Sequence, residues 1–140
     1  MALSKAESAS QIRTVAIDMV AMERTRQIQE EGFDFDHDDQ HAEEELAAAA
    51  AFFITPSTLC PDVCVSTEDY GLEVIPLLQL IGRGAWNGID REDLADAFYE
   101  AACPALDRRI NVLTKGLALG VAELERLLRL REATDQGEDA

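Results

Sequence analysis

Both histidines of this chain stand in one acidic stretch. Between Phe33 and Glu45 the sequence reads FDFDHDDQHAEEE, so His37 and His41 sit among Asp34, Asp36, Asp38, Asp39, Glu43, Glu44 and Glu45. Carboxylates with imidazoles at short spacing are donors that Mn, Fe or Zn accept, whereas Mg takes the carboxylates alone. A helix starting at Asp38 puts Asp38, His41 and Glu45 three and four residues apart on one face, with His37 at the cap beside them. Acidic residues at a helix N-terminus are also favoured by its dipole, by ~0.3–1 kcal/mol each, and a histidine there often only hydrogen-bonds a carboxylate. Nine acidic residues lie between Glu30 and Glu45, more than capping uses. A bound cation, Mg or Mn, is the functional expectation.

The charge around this stretch is lopsided. No Lys or Arg occurs from Gln27 through Gly82, against 13 Asp and Glu. Over the whole chain 12 basic residues face 28 acidic ones, a net charge of -16. That balance argues against a nucleic-acid backbone or an anionic membrane as direct partner, because both need cationic surface. The surviving partners are a cation with its anionic substrate, or a basic protein. Cationic side chains that would complement the site are Arg24 and Arg26 before it, and Arg108, Arg109 and Lys115 near the C-terminal end. Adjacent arginines are shaped to fork onto phosphate; the plainer role is neutralising the acidic cluster across the fold. Glu123 and Glu125, near Arg126, either reach the core site or form exposed pairs worth little. The three cysteines, Cys60, Cys64 and Cys103, lack a second pair to complete a tetrahedral metal set and are expected as reduced thiols. Nothing resembles a nucleophile elbow or a phosphate-cradling glycine loop, and Gly82-Arg83-Gly84 is a turn signal.

These residues need helices to position them. Alanine occurs 21 times in 140 residues and β-branched clusters are few, which predicts an all-α fold. A first helix is expected from about Ser10 to Glu31, with Ile12, Val15, Ala16, Met19 and Met22 at helical steps and Gly32 as its stop. A second runs from Asp38 to Ile54, with Leu46, Ala49, Ala50 and Phe53 on one stripe, and halts at Thr55-Pro56. Ser66 to Asp69 caps a short helix carrying Leu72, Val74, Ile75, Leu77, Leu78 and Ile81, kinked at Pro76. A further helix starts at Asp90, where Asp90 and Asp93 have capping-box spacing and Ile89 and Leu94 form a staple, and ends before Pro104. The last runs from Ala105 to Arg131 on a seam of Leu106, Ile110, Leu113, Leu117, Val121, Leu124 and Leu128. The expectation is one domain over residues 1–131, a small bundle of four to five helices with a long C-terminal helix, and a frayed acidic tail over 132–140. The long seam and the Gly116/Gly120 pair predict a homodimer. With no apolar run near the ~20 residues that span a bilayer and no signal-peptide core, a cytoplasmic protein is expected.

A resemblance adds to this reading. Glu23-Arg24-Thr25-Arg26-Gln27, Glu31-Gly32-Phe33, His37-Asp38-Asp39-Gln40-His41 and Glu45-Leu46-Ala47, with Arg108-Arg109 and the AELERL run over 122–127, resemble a small family common in phages and prophages. The match covers about half of the chain. That family usually has Trp at the position of Phe33 and Gly at that of Glu44. The pattern is also loosely similar to the MazG-type all-α nucleoside triphosphate pyrophosphohydrolases. Those enzymes bind Mg through E-E-x-x-E on one helix and E-x-x-D on another, and cleave between the α and β phosphates. Glu44-Glu45 begins the first motif, but its third acid is Ala48 here; Asp93-Leu94-Ala95-Asp96 resembles the second, with Asp for Glu.

The resemblance implies a phage protein, active in the host cytoplasm, that hydrolyses a nucleoside triphosphate to monophosphate and pyrophosphate. Glu44 and Glu45 would be catalytic, and Asp38, His41, Glu45, Asp93 and Asp96 would surround Mg or Mn. Arg24, Arg108, Arg109 and Lys115 would hold the phosphates, while the metal polarises a phosphoryl oxygen and activates water. Two alternatives stand beside it: a non-enzymatic, DNA-mimic-like anti-defence inhibitor of a basic host protein, and a pocket that only sequesters a nucleotide signal.

Overall fold

The computed structural model describes residues 4–56, 61–69, 71–86 and 105–138. Helix α1 spans Lys5–Glu31. It begins earlier than the apolar spacing predicts because Ser4 and Glu7 form a capping box: Glu7 N–H donates to Ser4 Oγ at 3.2 Å and Ser4 N–H to Glu7 Oε2 at 3.0 Å. Gly32 ends it as expected, in the left-handed region at φ 75°.

The continuous helix expected from Asp38 to Ile54 is instead two helices. Helix α2 covers Phe35–Asp39 and is capped by Asp34, which accepts from His37 N–H at 2.9 Å. A turn follows, and α3 runs over Glu45–Ile54 from an N-cap, Glu44, that is left-handed at φ 68°. That backbone costs a non-glycine residue about 1–2 kcal/mol. The reason for the break is tertiary: the fully buried Asp38 carboxylate pairs with Arg24 of α1 at 2.7 Å, which holds α2 apart from α3.

The helix expected after Ser66 is also corrected. Strands β1 (Asp62–Ser66) and β2 (Leu72–Pro76) form an antiparallel hairpin, with Val63 opposite Ile75 and Val65 opposite Glu73. Thr67 closes it, accepting from Gly71 N–H and donating its own N–H to the Gly71 carbonyl. Val63, Val65, Val74 and Ile75 suit a pleated surface, and helix starts only after Pro76, as α4 over Leu77–Ala85.

Helix α5 spans Leu106–Glu138 and so continues through most of the tail expected to fray. The helix expected from Asp90 to Pro104, with Asp93 and Asp96, and the cysteines Cys60 and Cys103, lie outside the described residues. The fold is essentially all-α, with five described helices and one small hairpin. Among the described residues no helix is long and apolar enough to cross a membrane.

Helix α3 is the centre of the core, packed between α4 and α5. Leu46, Ala49, Ala50, Phe52 and Phe53 bury against Leu78, Val112, Leu119 and Ala122. Trp86 sits edge-on to Phe52 and Phe53, with ring centroids 5.1 and 5.7 Å away. Close approach depends on Gly116, where a Cβ would lie 2.9 Å from Phe53 Cβ and 3.1 Å from the Ala50 carbonyl oxygen. The apolar seam of α5 is not this contact: six of its seven residues are exposed, and only Leu113 is half-buried.

Candidate functional site

Arg24 organises the acidic-histidine segment. Its Nη2 donates to Asp38 Oδ2 at 2.7 Å, its Nη1 to the Phe33 carbonyl at 2.8 Å and its Nε to Glu125 Oε1 at 2.9 Å. One buried guanidinium thus joins α1, the connection after Gly32, α2 and α5. The other Asp38 oxygen lies 3.0 Å from His37 Nδ1. A carboxylate already bound to a guanidinium accepts, so His37 donates through Nδ1 and keeps Nε2 for another partner. The His37 ring stacks on Phe33 at 4.6 Å and lies 4.7 Å from the His41 ring.

These rings border a cleft of about 300 Å³. Its apolar wall is Phe33, Phe53 and Trp86; its polar rim is Glu31, His37, His41, Glu45 and Lys115. Lys115 Nζ is 5.0 Å from the Phe53 ring centroid, a cation–π placement that holds the ammonium at the rim. Glu45 also accepts from Glu43 N–H at 3.0 Å.

The cations behind the segment each hold an ion pair, although Nε and Nη1 of Arg129 are buried without a hydrogen-bond partner among the described residues. Arg129 binds Asp39 at 2.7 Å and stacks 3.9 Å over Phe35, clamping α2 onto α5. Arg126 donates to both Glu123 oxygens, at 2.6 and 3.0 Å. Glu123 raises its pKa above the usual guanidinium value, with smaller help from Asp39 and Glu44. On α1, the hydrogen bonds that Arg26 donates to Glu23 and then to Glu31 raise it likewise, while the bond from Arg26 holds Glu23 below the usual carboxylate range.

The structure gathers some of the expected residues and separates others. His41, Glu45 and Lys115 meet at the cleft. Asp38, His41 and Glu45 do not share one helical face, because the α2–α3 break falls between them, and the Asp38 carboxylate is occupied by Arg24 and His37. Glu44 is exposed at the α3 N-cap. Arg24 is a structural anchor of the segment. Arg109 closes the C-terminus of α3, donating to the carbonyls of Phe53, Ile54 and Thr55 at 3.2, 2.6 and 3.4 Å. Arg108 and Lys115 line a second cleft of about 640 Å³ beside Glu23 and Asn111. Ala48, where the pyrophosphohydrolase motif has its third acid, faces α4: a Cβ at Gly84 would be 3.8 Å from it. Among the described residues no group of three or more His, Cys, Asp or Glu is placed to hold a metal.

The cleft residues that sequence reasoning missed are the aromatic ones and Glu31. Phe53 reads as core and is core, Trp86 is half-buried against it, and both line the cleft. Only the distance between Trp86 and the histidines in space reveals that second role. No protein-family model, curated protein or solved structure matches this chain.

Proposed function

We propose that the cleft of His37, His41 and Trp86 is a nucleotide-handling site. The observation that carries this reading is convergence. Glu31 of α1, His37 of α2, His41 of the turn, Glu45 of α3 and Lys115 of α5 meet around one aromatic wall. An aromatic wall takes a base by stacking; an ammonium and imidazoles take phosphate oxygens. His37, with Nδ1 committed to Asp38, has the arrangement of a general base or a phosphate donor according to its protonation. Glu44, left-handed at φ 68°, occupies the position where the resembling phage family has glycine, which supports the family reading.

Hydrolysis with Mg or Mn is the enzymatic form of this proposal. Glu45 and His41 are the donors it would use among the described residues, with Asp93 and Asp96 outside them. The described donors alone do not complete the octahedral oxygen set that Mg demands, so the proposal starts from binding. A second reading, an acidic surface for a basic protein, is favoured by the exposure of Asp34, Asp36, Glu43 and Glu44 on the same segment. Such a complex would weaken steeply with salt.

Trp86 is the chain's single tryptophan, so it reports on the cleft directly. Titration with nucleoside triphosphates, with and without Mn, is expected to change its fluorescence saturably. Replacing His37 and Lys115 together by Ala should weaken the response at least about 10-fold, the loss of one to two charge-assisted hydrogen bonds. Release of pyrophosphate, abolished by Glu45→Ala with helix content intact, would mark turnover; saturable binding without product would mark sequestration. Unchanged fluorescence at millimolar nucleotide, with Mn present, would overturn the nucleotide reading.

A further inference from the structure

Two apolar stripes point away from the core described above. On α1, Ile12, Val15, Met19 and Met22 follow steps of three, four and three, and Ile12, Val15 and Met22 are 70%, 57% and 72% exposed. On α5, Leu106, Ile110, Leu117, Val121, Leu124 and Leu128 are exposed as well. At 3.6 residues per turn, the α5 stripe is centred about half a turn from the face that Val112, Leu119 and Arg126 bury. The two helices run antiparallel, tied by Arg24 to Glu125 and by Gln27 Nε2 to the Lys115 carbonyl. In that arrangement both stripes open on the side of the α1/α5 pair away from α3.

We infer that this face is the two-fold interface of a homodimer, covered by the same face of a second copy. Steps of three and four are the seam spacing by which helices pack on helices. From Leu106 to Leu130 the exposed residues of α5 extend along about 36 Å at 1.5 Å per residue, and in the antiparallel register the α1 stripe flanks the C-terminal end of that strip. Such a strip is on the order of the ~800 Å² that each partner gives to a stable interface.

Charge selects the occupant. Copies of a chain carrying -16 repel, yet α1 and α5 together hold ten basic against eleven acidic residues, one net negative charge of the sixteen. The remaining negative charge lies on other segments. Along this pair of helices a second copy approaches without the field that opposes it elsewhere. A basic protein has nothing to recognise on a nearly neutral apolar strip, and a membrane surface calls for a cationic surplus that the strip lacks. A self-complementary face is what two-fold pairing requires.

The test is the mass of the full chain in reducing buffer, by light scattering and sedimentation, from micromolar to near-millimolar protein. The expected mass is twice 15.4 kDa. Leu124→Glu with Leu128→Glu should raise the dimer dissociation constant at least about 100-fold, because like charges would face each other across the axis. Ile12→Glu with Met22→Glu should do the same from α1, and both variants should keep their helical circular dichroism, since the replaced side chains are exposed in one copy. A single-chain mass at every concentration would overturn the inference. So would a dimer that survives both variants, or growth beyond two copies.

Discussion

The two faces of α5 invert the usual expectation of burial. Its inner face carries Val112, Gly116, Ala118, Leu119 and Ala122, and also the charged pair Glu123 and Arg126, all buried. Its outer face carries Leu106, Ile110, Leu117, Val121, Leu124 and Leu128, all exposed. Among the described residues, the more hydrophobic face is therefore the one left open. What selects the inner face is fit. The alanine-rich α3 comes close enough that a Cβ at Gly116 would sit 2.9 Å from Phe53 Cβ, and leucines would hold it off. The buried ions are tolerated because Glu123 binds Arg126 through both oxygens.

This contrast can be broken experimentally. The largest effect is expected from Glu123→Ala, which strips a buried guanidinium of two hydrogen bonds. The loss should be about 3 kcal/mol, read by urea unfolding. Replacing Glu123 and Arg126 together by Leu should recover most of it, because the penalty belongs to the orphaned charge. A cost below about 0.5 kcal/mol for Glu123→Ala would place the pair with ordinary surface contacts.

Gly116→Ala is next. The new methyl meets Phe53 Cβ, Ile54 Cγ1 and the Ala50 carbonyl at 2.9, 3.0 and 3.1 Å, one of them backbone and another the stem of a core ring. A destabilisation of about 1–3 kcal/mol is expected. On the outer face, Leu124→Ala should stay within about 0.5 kcal/mol in protein dilute enough to be monomeric. Equal costs on the two faces would erase the distinction.

The smallest effect is a pH dependence from α1. Glu23 is held below its ordinary value of 4.5 chiefly by the hydrogen bond from Arg26. A lowered folded pKa means that its stabilisation is complete above 4.5 and disappears as pH falls through the folded value. Thermal unfolding scans of wild type and Glu23→Gln should therefore differ at neutral pH and converge on acidification below 4.5. A difference unchanged by acid would mean that the Glu23–Arg26 contact does not persist in solution.

Much of the local structure was legible. Gly32 marks the end of α1 because a left-handed residue is needed there, and glycine supplies it without strain. The steps along α5 announced a long helix, although not which way its seam would face. Other features had no local signal. Glu44 lies in a run of three glutamates, good helix formers, yet it is the break between α2 and α3. The cause is Arg24, fourteen residues before Asp38 in the chain. The hairpin was hidden because Leu72, Val74, Ile75 and Leu78 satisfy a strand or a helix equally well over so short a run. Arg109 offered the look of a phosphate fork, and its position over the C-terminus of α3 uses that same fork on three carbonyls.

The sequence by itself determined the helical character, the stop at Gly32, the apolar stripes and the separation of acidic from balanced segments, because propensity, periodicity and charge are local quantities. The tertiary structure alone decided which stripe went inside, where the acidic helix broke, and that His37, Glu45, Trp86 and Lys115 share one cleft. Those outcomes depend on the close fit at Gly116 and on the Arg24–Asp38 and Arg24–Glu125 pairs, which join residues far apart in the chain. Only folding brings them together.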